Sequence, residues 1–289
     1  MENKDHLVKK IKHLLRRANA PSRLHHYGPK TYELWQHVFG LFVKSYCQLS
    51  YRSAAIFLRQ LGFNVASKST LQRYAARLSL PFWQTLLRST LGATSCIAAV
   101  DGTGLSRTQA SHHYIRRIDG YRHKRGFQLM LLVSRNKKVL SLRLRSKSAG
   151  ETKDVPYLWR RTGKKLTTVL MDKGYDAEWL HQFFASLKVR SIAPVRKGAR
   201  RGRYRKKLRD NFPEKLYHKR SIVESVIHAL KQRFGGHIGS KYMCSARTEM
   251  YVRAILYNMS MLLRRLLGQS PKPTIFINQE AYLRTGDGN

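Results

Sequence analysis

Leu166-Thr-Thr-Val-Leu-Met-Asp-Lys-Gly-Tyr-Asp176 divides into an apolar run and a polar turn. A short, continuous apolar run bounded by turn residues reads as a buried strand, and Asp172-Lys-Gly supplies the turn. Downstream, Ala177 to Leu187 has helical spacing and Val189 to Pro194 is a further short strand. Upstream, Ser95 to Val100 repeats the design, an apolar strand closing in Asp101-Gly-Thr-Gly. Phe127–Val133 and Val139–Arg145 form a hairpin about Arg135-Asn136-Lys137, and Glu151 to Lys165 reads as a helix with Pro156 near its first turn. Strand, hairpin, helix, strand, helix, strand, helix gives an α/β fold, a mixed sheet with helices on its faces. In such sheets sites form where strands end.

The helix that follows carries the second decisive stretch, Tyr217-His-Lys-Arg-Ser-Ile-Val-Glu-Ser-Val-Ile-His-Ala-Leu-Lys-Gln-Arg-Phe-Gly235. At 100° per residue, Ile222, Val226 and Leu230 fall on one side with Val223 and Ile227 beside them. Tyr217, Arg220, Glu224, His228 and Lys231 fall on the other, and Gly235-Gly236 is the expected stop. One carboxylate thus stands on a cationic stripe. A solvated Arg220–Glu224 pair would explain it, but only 16 residues of 289 are acidic against 56 basic. A carboxylate beside apolar sequence in such a chain needs a reason.

A net charge of +40 opposes compaction unless a polyanion neutralises it, so the partner is nucleic acid. A hydrophobic fraction of 42% separates the chain from disordered polycations. Cys47, Cys96 and Cys244 are odd in number and lack C-x-x-C spacing, which excludes a disulfide framework or zinc knuckle; they read as small buried hydrophobes. The charged start has no apolar signal-peptide core, and no apolar run approaches the ~20 residues of a membrane span. The expected location is the cytoplasm, at the nucleoid, with no membrane partner.

Residues 1–92 read as a helical DNA-binding domain, residues 93–269 as the catalytic α/β domain, and 270–289 as a poorly packed tail. Near 51–78, a helix ending at Gly62 and a second, Ser/Thr-capped helix from about Ser69 have the outline of a helix-turn-helix. Lys68, Gln72, Arg73 and Arg77 on that second helix suit phosphates and base edges; the alternative is an ordinary helical hairpin. Tyr32, Trp35, Phe39, Phe42 and Tyr46 recur at helical spacing and read as core or a helix–helix seam. Leu80-Pro81 reads as a boundary or kink before a linking helix, Phe82 to Leu91. Residues 196–209 hold nine basic residues in fourteen, so Arg201, Arg203, Arg205 and Lys206 are expected on a solvated, DNA-contacting loop.

Asp101 and Asp172 each close an apolar strand. If both strands end at one sheet edge the carboxylates meet, and a helix packed there adds Glu224. Three clustered carboxylates repel and need divalent cations. Two Mg²⁺ or Mn²⁺ ions about 4 Å apart would activate a hydroxyl and stabilise the leaving oxygen of a phosphodiester. Taken singly, each Asp is equally a turn former.

Asp101-Gly-Thr, Asp172-Lys-Gly-Tyr and Tyr217-x2-Arg220-x3-Glu224-x6-Lys231 resemble the DDE transposases of prokaryotic insertion sequences that carry the YREK signature. The resemblance covers about residues 95–265. It implies an RNase H-like catalytic domain with Asp101, Asp172 and Glu224 as catalytic metal ligands. Tyr217, Arg220 and Lys231 are then implied to contact phosphates of double-stranded DNA near the transposon end. The implied activity is metal-dependent cleavage exposing a 3′-hydroxyl, then strand transfer into target DNA by a homodimer on DNA. A metal nuclease without strand transfer and a catalytically silent DNA-binding protein are the alternatives. The 51 residues between Asp172 and Glu224 leave no room for the large β-rich insertion some relatives carry there.

Overall fold

A computed structural model describes residues 2–24, 31–107, 126–146, 150–199, 201–240 and 242–266. The expected tail from Ser270 lies outside the described residues. Five strands form one sheet: β1 (Ile97–Leu105), β2 (Phe127–Ser134), β3 (Val139–Arg145), β4 (Thr168–Leu170) and β5 (Arg190–Ile192). Their order is β3-β2-β1-β4-β5. β1 to β3 run antiparallel in sequence, while β4 and β5 extend the sheet from β1 in parallel. The mixed sheet expected from the sequence is therefore present, with its hairpin turning at Arg135-Asn136-Lys137; Lys137 takes φ 59° there.

The period-2 alternation of strands sorts each side chain to one face or the other. Ala98, Val100, Met130, Leu132, Val169 and Met171 bury one face under α6 (Val155–Arg160) and α7 (Glu178–Ser186). Ala99, Leu129, Leu131, Leu142 and Leu170 bury the opposite face under α10 (Ser221–Phe234) and α11 (Met243–Leu266). The region expected to be one helix from Glu151 is a 3-10 turn, Glu151–Asp154, followed by α6, with Pro156 where a helix needs no donor.

Five helices precede the sheet: α1 (Glu2–Arg17), α2 (Leu34–Tyr46), α3 (Tyr51–Gln60), α4 (Lys68–Arg77) and α5 (Leu80–Ser89). Ser50, Ser67 and Ser79 cap α3, α4 and α5 by accepting from the amides of Ser53, Thr70 and Phe82. Pro81 stands in the first turn of α5, so Leu80-Pro81 starts a helix. These helices do not stand apart from the sheet. Ile11, Val38, Phe42, Trp83 and Leu87 belong to the same continuous core as Leu131, Val226, Met250 and Tyr251. Gln84, 3% exposed, donates to the carbonyl of Leu140 at 2.9 Å and accepts from the Tyr251 hydroxyl at 3.1 Å. The aromatic stripe divides accordingly: Phe39 and Phe42 are buried, Trp35 is half-buried, and Tyr46 is exposed over the helix end.

Two further expectations fail. All three cysteines are exposed rather than buried, because they sit at element ends: Cys47 caps α2, Cys96 precedes β1 and Cys244 lies in the first turn of α11. The basic stretch 196–209 is not all loop, since α8 spans Arg203–Asp210. Arg and Lys are good helix formers, and the Glu178 carboxylate accepts from the amides of Tyr204 at 3.0 Å and Arg205 at 3.3 Å. An acid there complements the positive end of the helix.

Candidate active site

Strand register assembles the site. Ala99 pairs with Leu170 across the parallel β1–β4 ladder. Asp101 lies two residues past Ala99 and Asp172 two past Leu170, and Asp172 keeps extended backbone (φ −72°, ψ 165°). Adjacent strands lie about 4.8 Å apart, so the two aspartates stand level. The same parity directs both toward the face that α10 covers. α10 buries Val223, Val226, Leu230 and Phe234 in that core, leaving Glu224 outward.

The expected Tyr217–Gly235 helix is broken. Tyr217 ends a short helix, α9 (Glu214–Tyr217), and a 3-10 turn, His218–Arg220, precedes α10. Arg220 is the joint of the site. Its guanidinium lies 3.6 Å from Asp101 Oδ2 and is hydrogen-bonded to Glu224 Oε1. Tyr217 packs edge-on against Phe212, ring centroids 5.1 Å apart, and feels the charges of Arg220, Asp172 and Glu224. Lys231 donates to Thr103 Oγ1 at 2.6 Å, two residues beyond Asp101 on β1. Four of the residues singled out in sequence thus converge with Asp101 and Asp172. Glu224 is the most open of the ion-paired groups, its side chain 52% exposed against 21% for Asp101 and 19% for Arg220.

Burial holds the Asp101 carboxyl above the usual range, against the Gly102 amide at 2.8 Å and the charge of Arg220; Glu224 and Asp172 push it further up. Among the described residues no group of three or more His, Cys, Asp or Glu could hold a metal ion; Arg220 stands between Asp101 and Glu224.

The remaining candidates divide. Lys68, Gln72, Arg73 and Arg77 are all exposed on α4, opposite buried Leu71 and Ala75. Arg201, Arg203 and Lys206 are exposed. Arg205 is turned inward: its Nε lies 2.8 Å from Asp176 Oδ1 and its Nη2 donates to the Asp176 carbonyl at 2.7 Å. Asp176, 2% exposed, also accepts from the Arg196 amide at 2.9 Å. Arg196 in turn donates to the carbonyls of Lys173 and Gly174, bracing the turn that Asp172 opens. Sequence reasoning missed this brace, and also Thr103, Glu151 and Tyr175 around the aspartates. Tyr175, within Asp172-Lys-Gly-Tyr-Asp176, was the available signal.

Fold and site together define an α/β protein with acidic residues at two neighbouring strand ends and a third on a covering helix. The family described as "Transposase DDE domain" matches residues 92–259, and the chain belongs to it. It is a DNA transposase, an enzyme of the DDE class. One similar solved structure is a piggyBac transposase synaptic complex with hairpin DNA, at 10% identity and TM-score 0.49, covering 92% of this chain and 74% of that one. No curated protein matches the chain. Among the described residues no helix is long and apolar enough to cross a membrane.

Proposed function

We propose that Asp101, Asp172 and Glu224 form the catalytic centre of an insertion-sequence transposase with the YREK signature on an RNase H-like domain. The observation that carries this reading is the level placement of Asp101 and Asp172 on adjacent parallel strands, with Arg220 joining Asp101 to Glu224. By donor type, though not as grouped in this structure, the three side chains suit a hard divalent cation. The donor set consists of carboxylate oxygens alone, a guanidinium already stands between two of them, and burial, the largest cause, holds the Asp101 carboxyl above its usual range. When bound, two Mg²⁺ or Mn²⁺ ions supply the charge that activates a hydroxyl and stabilises a leaving oxygen.

The chain's own groups do the rest. Asp101 and Asp172 hold ligands at the sheet edge, and Glu224 approaches from α10. Arg220, Tyr217 and Lys231 surround the carboxylates and bind the phosphates that flank the scissile bond. In this reading the first reaction is hydrolysis at a transposon end, and the exposed 3′-hydroxyl then attacks target DNA without a covalent protein intermediate. The exposed face of α4 acts as the second helix of a helix-turn-helix and reads the terminal repeat. Arg201, Arg203 and Lys206 add contacts to the DNA backbone. Two copies assemble on DNA, one at each end, and the working location is the nucleoid of a prokaryotic cytoplasm.

The test compares wild type with Glu224→Gln and Asp101→Asn on supercoiled plasmid carrying the element's ends, in Mg²⁺, Mn²⁺ or EDTA. Nicking at the ends in either metal, abolished by EDTA and by both substitutions while DNA binding persists, is the expected result. Strand-transfer products separate a transposase from a nuclease. Retained cleavage by Asp101→Asn overturns the assignment. Light scattering with and without end DNA tests the dimer.

A further inference from the structure

Glu151 opens the 3-10 turn after β3 and has no part in the chemistry proposed above. Its Oε1 accepts from Gln128 Nε2 on β2 at 2.6 Å, and its Oε2 accepts from the Tyr175 hydroxyl at 2.8 Å. It also packs directly on the backbone of β1. A Cβ added to Gly102, the neighbour of Asp101, would lie 2.9 Å from Glu151 Oε1 and 2.7 Å from Met130 Sδ. Tyr175 belongs to the turn that Asp172 opens and is 1% exposed. Burial first, then its bond to Glu151, raises the phenol far above its ordinary pKa, so it stays a donor.

We propose that Glu151 is a positioning residue that sets the spacing between the two catalytic aspartates. Through Gly102 it bears on the strand end that carries Asp101. Through Tyr175 it holds the turn that carries Asp172. The residue type matters: Gln128 Nε2 and the Tyr175 hydroxyl both donate, and an ionised carboxylate accepts at each oxygen and donates nothing. A glutamine offers one acceptor, and with Gln128 as it stands its amide hydrogens face a donor at the other position; they are met only if the Gln128 amide flips to present its unpartnered Oε1.

This inference rests on the assignment of Asp101 and Asp172, and the test separates the two. Full-length wild type, Asp101→Asn, Glu151→Gln and Tyr175→Phe are compared for end cleavage at saturating Mn²⁺, for DNA affinity, and for hydrogen exchange over residues 171–177. Glu151→Gln and Tyr175→Phe are each expected to cut turnover by about 10–100-fold, the usual effect of removing a group that orients a metal ligand. DNA affinity should stay unchanged, and exchange should quicken over 171–177 while the rest of the chain keeps its protection. If Asp101→Asn is inactive while both other variants cleave at the wild-type rate, the positioning role is wrong and the catalytic assignment stands. If Asp101→Asn cleaves normally, the catalytic assignment itself fails. Faster exchange throughout the chain in both variants would make Glu151 a general stability residue and would also overturn the proposal.

Discussion

Arg220 shows what one side chain does in a crowded acidic site. It faces Asp101 and Glu224 together, reaching the first with one terminal nitrogen and the second with the other. That geometry needs a planar group with several fixed donors, which an ammonium on a flexible stem lacks. Arg220→Lys is therefore expected to lose most of the end-cleavage rate although it keeps the charge, with the fold intact by circular dichroism. The identity of Arg220 was legible as a spacing with Glu224 in the sequence. Its contact with Asp101, 119 positions earlier, was not. The reason is that 3.6-residue periodicity reports neighbours on one helix and is silent on what the helix packs against.

At the scale of elements, one buried carboxylate ties α11 to the connection that precedes it. Glu249 on α11 is 7% exposed, pairs with Arg253, and accepts from Ser240 Oγ at 2.6 Å. Burial opposes its ionisation, but Arg253, Lys44, Ser240 and the Gly239 amide outweigh it and hold the carboxyl below its ordinary value of 4.5. A carboxylate whose folded pKa is depressed stabilises the protein fully above its unfolded pKa and loses that contribution as pH falls through the folded pKa. Glu249→Gln should thus flatten the acid side of the stability profile below about pH 4.5. Near pH 7 it should cost about 3–5 kcal/mol in urea unfolding, because buried Arg253 is left without its partner.

The second element-scale prediction concerns α4. Leu71 and Ala75 bury its inner face while Lys68, Arg73 and Arg77 are exposed. Replacing these three cations with alanine should leave thermal stability near wild type. It should lower the slope of log affinity against log salt by about 1 for each phosphate that is no longer neutralised. The elements themselves were largely legible: the capped helix α4, the hairpin turn and the apolar strands matched sequence signals, α4 starting at Lys68 behind its Ser67 cap. α8 was misjudged, since nine basic residues in fourteen read as solvated loop. Glu178, 26 residues before Tyr204, supplies the N-terminal acceptor for that helix. No local window contains both.

Over the whole molecule, one core runs from the N-terminal helices through α11 to the sheet face under the candidate active site. The helices of residues 2–89 cover apolar surface that would otherwise meet water. A chain lacking residues 1–92 is therefore expected to lose cooperative thermal unfolding and to expose apolar surface, read by calorimetry and by binding of a hydrophobic dye. Trp83, Leu86 and Leu87, all fully buried, are the side chains whose removal would do this. The same core carries α10 against the sheet, so the position of Glu224 depends on helices far from it in sequence.

By itself the sequence determined the class of fold and the polyanionic partner and singled out three acidic candidates, because these follow from local periodicity, charge and the residues that end strands. Only the tertiary structure decided that Ala99 pairs with Leu170, which brings Asp101 level with Asp172. It alone turned Arg205 inward to Asp176 and placed Glu151 behind both aspartates. Register and burial arise from which surfaces meet, and a linear pattern records what each segment offers without recording which segment accepts it.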